Sequence, residues 1–151
     1  LTELVKVNAT ILSTELLNTD NLNTDSVESL GNTVALTLHI PTDLDYFKGH
    51  FDQAPILAGV VQLRWAAEYA KQYLNMGTAD VMNIQVLKFQ EMILPGQNVV
   101  LTLTKKSAEK VLFSYQSTTS NGDIKSHSSG RLIFAETVAV YSAEKNTVGG
   151  L

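Results

Sequence analysis

Residues 46–71 read YFKGHFDQAPILAGVVQLRWAAEYAK. The stretch passes from aromatic and turn residues into a long apolar segment. From Gly59 to about Leu74, apolar residues fall at 60, 61, 63, 65, 66, 67, 69, 70, 73 and 74, and polar ones keep mainly to 64, 68, 71, 72 and 75. A polar stripe that narrow, at helical spacing, predicts one helix that is apolar over most of its girth and buried on nearly every side. Asn75 and Gly77 supply its end, because both residue types accept left-handed backbone. A helix so apolar needs a sheet to bury it.

The flanks provide one. Val5, Val7, Ala9 and Ile11 share one parity and Lys6, Asn8 and Thr10 the other, the pattern of a half-buried strand. Residues 18–32 are rich in Asn, Asp, Ser and Thr and read as a loop. Val34, Leu36, Leu38 and Ile40 then alternate with Ala35, Thr37 and His39 until Pro41 ends the strand. Residues 82–94, 98–106, 110–120 and 124–135 are each β-rich. Pro95-Gly96 turns the chain between the first two of these, and Asn121-Gly122 makes a hairpin between the last two. The expected fold is α+β: about six mostly antiparallel strands wrapped around one long central helix. Val138 and Val140 are expected to extend the last strand.

The 151 residues suit one domain, 1–151, with a real core. No apolar run approaches the ~20 residues of a membrane span. There is no cysteine, which excludes disulfides and thiolate metal sites. No basic, apolar and small-residue leader opens the chain, so the expected location is cytoplasmic. A net charge of −4 argues against nucleic-acid and anionic-membrane partners. The lysines at 105, 106 and 110 are either a solvated strand end or a docking patch for an acidic partner. His39 and His127 read as surface or lining residues, and no two histidines have metal-ligand spacing. Neither a metal nor a cofactor is expected.

The blocks YFKGHF and PIL-x-GVVQL-x-WA resemble the signature of the hotdog-fold 3-hydroxyacyl-[acyl-carrier-protein] dehydratases, most closely the small dehydratases of aryl-polyene pathways. VLKFQEMILPGQ and SSGRLIF are similar to later segments of that family, so the likeness spans about residues 33–135. It implies a hotdog fold and water removal from acyl chains held on acyl carrier protein or coenzyme A. That chemistry needs a base at the carbon beside the carbonyl, donors for the carbonyl oxygen, and an acid for the departing hydroxyl. His50 suits the first role, since its unperturbed pKa lies near neutrality. The N–H groups of Gly59 and Val60, at the positive end of the helix, suit the second. Phe51 and Ile56 are implied as further substrate contacts.

The third role is where the chain departs from the family. The family acid stands five residues after the helix-start glycine, and here that position is Arg64. A guanidinium stays protonated and is no general acid. Asp52 and Ala58 also replace two prolines of the pattern. Glu68, one turn beyond Arg64, is either its i,i+4 ion-pair partner or a substitute acid. The resemblance further implies a homodimer in which His50 faces the partner's helix, with Lys48 and the lysines at 105–110 as candidates for a basic rim. Three functions follow as expectations: a dehydratase with its acid replaced; a non-catalytic, thioester-binding subunit, alone or as half of a heterodimer; and, as a lesser alternative, a thioesterase.

Overall fold

A computed structural model of the chain describes residues 6–17, 32–47, 55–77 and 79–135. Among these residues six strands, β1 (Thr10–Leu17), β2 (Thr33–His39), β3 (Val81–Phe89), β4 (Asn98–Lys105), β5 (Lys110–Thr118) and β6 (Ile124–Phe134), accompany one α-helix, α1 (Gly59–Tyr73). They form a single sheet in the order β1-β2-β4-β5-β6-β3, antiparallel at every pairing. Alternation decides which face of the sheet is buried. Val34, Leu36 and Leu38 of β2, Leu101 and Leu103 of β4, and Val111, Phe113 and Tyr115 of β5 all turn to one side and are buried. Helix α1 lies on that side and contributes Val61, Trp65, Ala66 and Ala70 to the same core. The Trp65 ring is 1% exposed, and its N–H donates to the carbonyl of Val7 at 3.0 Å. This is the hotdog arrangement the sequence led us to expect.

Both predicted turns are present. Gly96 takes φ 86° and Gln97 N–H donates to Leu94 O, a type II turn that only glycine enters at no steric cost. Gly122, at φ 93°, donates to Thr119 O at the β5–β6 hairpin.

Three expectations change. The first strand runs from Thr10 to Leu17, not from Val5 to Ile11, and residues 6–9 are irregular. As an edge strand, β1 is exposed along nearly its whole length, and a bulge between Ile11 and Ser13 shifts its parity. Alternation therefore marked the wrong stretch. Helix α1 is buried on one side only, leaving Val60, Arg64, Glu68 and Gln72 as an exposed stripe. His127, expected at the surface or lining a site, is buried, at 1% exposure. A bulge between Tyr115 and Gln116 places it beside Ser128, out of the parity assumed for it. All but residue 32 of the expected loop at 18–32, and the strand extension through Val138 and Val140, lie outside the described residues. Among the described residues, no helix is long and apolar enough to cross a membrane.

Candidate active site

Helix α1 begins without a side-chain cap. Ala58 occupies the N-cap position in extended backbone and has no side chain able to accept a hydrogen bond. Its carbonyl takes the N–H groups of Val61 and Gln62, at 3.0 and 3.2 Å. The N–H groups of Gly59 and Val60 have no acceptor among the described residues. No acidic side chain stands in the first turn, so the positive end of the helix is uncompensated there. Two adjacent donors at such an end can hold a carbonyl oxygen as it gains negative charge.

The ring of Phe89, at the end of β3, packs against Gly59. A Cβ on Gly59 would come within 2.6 Å of the ring's Cζ, so a side chain there would displace the ring. The ring is 49% exposed, at the end of a rotatable side chain. Val60 is 70% exposed and Ile56 is also open, giving the helix start an apolar rim.

A buried polar network fixes the helix start in place. The Gln62 side chain donates to Leu57 O at 3.0 Å and accepts from the Ser128 hydroxyl at 2.6 Å. The Tyr115 hydroxyl donates to Gln62 O at 2.7 Å, and burial, followed by the charge of Tyr69, raises its pKa well above the usual value. Leu57 N–H donates to Ile93 O, which fastens the segment before α1 to the one after β3. His127 holds that second segment: Nδ1–H donates to Glu91 O at 2.9 Å, leaving Nε2 to accept the Ser117 hydroxyl at 2.7 Å. Sequence reasoning missed Tyr115, Ser128 and His127 as supports. Their signal was present as polar groups within otherwise apolar strands, but a single strand read alone does not show what such a group meets.

Arg64 stands on the exposed stripe. Its Nε donates to Glu68 at 3.0 Å and its Nη1 to the Tyr46 hydroxyl at 3.4 Å. The Glu68 hydrogen bond, then the charges of Tyr46 and Glu68, raise the guanidinium pKa further, so it has no proton to give. Glu68, the other half of this ion pair, is the only carboxylate on α1. The structure thus sets Ile56, Gly59 and Val60 at the start of the helix, with Val60, Arg64 and Glu68 along one exposed side. His50, Phe51, Lys48 and Asp52 lie outside the described residues. Lys105 donates to Leu74 O at 3.2 Å and so caps the far end of α1, ~22 Å from Gly59 at 1.5 Å per residue. That gives it a structural role and removes it from any rim around the helix start of its own chain.

The family model described as ApeI dehydratase matches residues 26–131. No curated protein matches. Among solved structures, a protein of uncharacterised function from Erwinia carotovora subsp. atroseptica is 30% identical, with 85% of this chain and 96% of that one covered and a TM-score of 0.68. The dehydratase heterocomplex ApeI:P from Xenorhabdus doucetiae is similar at 22% identity, covering 85% of this chain and 99% of that one, with a TM-score of 0.65. The dehydratase domain of a mycocerosic acid synthase-like polyketide synthase is 16% identical, with 80% and 39% covered and a TM-score of 0.56. The last two likenesses carry the fold alone.

Proposed function

Because the chain belongs to the ApeI-like dehydratase family, we propose that it engages 3-hydroxyacyl thioesters and removes water from them in fatty-acid or polyene lipid synthesis. The uncapped start of α1 carries this reading. The thioester carbonyl accepts from Gly59 and Val60, beside the ring of Phe89, while Ile56 and Phe51 contact the acyl chain. His50 takes the proton from the carbon beside the carbonyl. Hydroxide then leaves the next carbon, hydrogen-bonded by Arg64, and the proton that His50 took reaches it through solvent, giving water and restoring neutral His50. A positioned acid is worth about 10²–10⁴ in rate, so the chain acting alone is slow by that factor.

The open edge of β3 supports a dimer. Among the described residues one side of this strand has no neighbour in the sheet, and Met82, Val86 and Phe89 are large, apolar and exposed along it. An edge of that kind is a ready template for strand pairing. The proposed dimer pairs a second copy there, with His50 of each chain facing Arg64 of the other as the family resemblance implies.

One observation favours a second reading. Glu68 is engaged by Arg64, so α1 offers no unengaged carboxylate. A related chain that keeps its helix acid would supply the missing group in a heterodimer, taking His50 and the helix-start amides in return.

The deciding experiment incubates the purified chain with a 3-hydroxyacyl thioester, on carrier protein and on coenzyme A, and follows enoyl formation by mass, with His50→Ala in parallel. Turnover that disappears in His50→Ala supports the dehydratase. Turnover that appears only after mixing with an acid-bearing relative supports the heterodimer. Turnover indifferent to His50→Ala, or neither turnover nor thioester binding, refutes the proposal.

A further inference from the structure

The face of the sheet turned away from α1 carries a floor of hydroxyl groups with two cations at one side. Thr102, Ser114, Ser129 and Lys88 lie opposite one another across β4, β5, β6 and β3. Two residues along, Thr104, Leu112, Arg131 and Gln85 form a parallel row. All but Gln85 line a groove of about 370 Å³, together with Val86. That volume falls within the ~300–1,000 Å³ usual for small-molecule sites. Val86 marks a bulge in β3, with φ 52° and a register shift between Gln85 and Lys88, and such bulges re-aim side chains at sheet edges.

The electrostatics of this groove are unbalanced. Among the described residues no carboxylate lines it. Neither Lys88 nor Arg131 forms an ion pair among the described residues, in a chain of net charge −4. Arg131 donates from Nη1 to Gln85 Oε1 at 3.2 Å, but its Nε is buried with no hydrogen-bond partner among the described residues. A buried cationic donor without an acceptor is costly, and an anion arriving beside it removes that cost. Guanidinium, ammonium and hydroxyl together are the groups that recognise phosphate oxygens.

We infer that this groove is an anion site for a phosphate group. Lys88 and Arg131 supply the charge, and Ser129, two residues from Arg131 and directly across from Lys88, supplies a hydroxyl between them. Val86 and Leu112 give an apolar wall to the organic part of a phosphate monoester. The site is on the opposite side of the sheet from α1 and does not depend on the function proposed above.

Inorganic phosphate and adenosine monophosphate, titrated separately into the full chain, test the inference through backbone amide NMR shifts. The expected result is saturable shifts at residues 102, 114, 129 and 131, with a dissociation constant of about 1 mM or tighter for one ligand. A tighter fit for the nucleotide makes an ester the ligand; equal affinities make it free phosphate. Lys88→Ala, at an exposed position, should weaken binding about tenfold, and Ser129→Ala by less. Arg131→Gln should abolish it, with a thermal melt verifying the fold. The inference is overturned if neither ligand shifts these residues, if the shifts fall at Gly59 and Val60 instead, or if Lys88→Ala binds as well as the parent.

Discussion

Tyr115→Phe should reveal the network beneath the helix start through a crossing of two stability curves. The substitution removes one hydroxyl and keeps the ring, including its edge-on contact with Phe113 at 6.1 Å. At neutral pH the loss is the hydrogen bond to Gln62 O, about 1 kcal/mol. At alkaline pH the sign reverses. The folded chain holds the Tyr115 proton well above the usual tyrosine pKa, chiefly because the group is buried, whereas the unfolded chain releases it near pH 10. Above that pH the unfolded state binds fewer protons than the folded state, so wild-type stability falls as pH rises, by up to about 1.4 kcal/mol per pH unit. With an unfolded pKa of about 10, this loss is roughly 0.4 kcal/mol at pH 10 and about 1.4 kcal/mol at pH 11. The phenylalanine variant has no proton to lose at this position and escapes it. It should therefore be less stable than wild type below about pH 10, equal to it between about pH 10 and 11, and more stable beyond. Urea unfolding followed by the fluorescence of Trp65, the single tryptophan, measures both curves. Other groups titrate alike in the two proteins and cancel. A gap that stays constant up to pH 11 would refute the reasoning, because the hydroxyl would then ionise as readily in the folded chain as in the unfolded one.

Arg64→Asp, which places a carboxyl at the family's acid position, should raise enoyl formation by about 10²–10⁴, measured by mass against wild type; an unchanged rate would count against Arg64 as the missing component. Gln62→Leu strands the Ser128 hydroxyl and the Leu57 carbonyl at about 1–3 kcal/mol each, and should appear as a large drop in the urea midpoint. Val86→Gly relieves a β-branched residue from left-handed backbone, a cost of about 1–2 kcal/mol, against a loss of about 0.5–1 kcal/mol in chain entropy. Its melting temperature should hold or rise. Met82→Glu puts a charge on the open edge of β3 and should shift the sedimentation of a dimer toward the monomer without unfolding the chain.

The residues that predicted the fold were those whose neighbours in sequence are also their partners in burial. Val34, Leu36 and Leu38 alternate because every second position of β2 meets the core, and β2 was placed correctly. The length of α1 was equally legible from Gly59 to Tyr73. Bulges defeated the same logic. Skipping one residue reverses the parity of everything beyond it, which hid the burial of His127 and the true position of β1. The candidate site was half legible. Gly59 and Val60 announced themselves as a glycine-led helix start. Phe89, thirty positions downstream, did not, because its proximity to Gly59 is set by how β3 returns along the sheet.

The bare N-terminus of α1 places stability and ligand capture in competition. A serine or aspartate at position 58 is the usual way to finish such a helix, and its side chain would gain about 1 kcal/mol of stability from backbone donors of the first turn. The proposed thioester carbonyl draws on donors of that same turn. An engineer who stabilised this protein by consensus capping would thus install a permanent internal competitor, and a sturdier chain would be a poorer host.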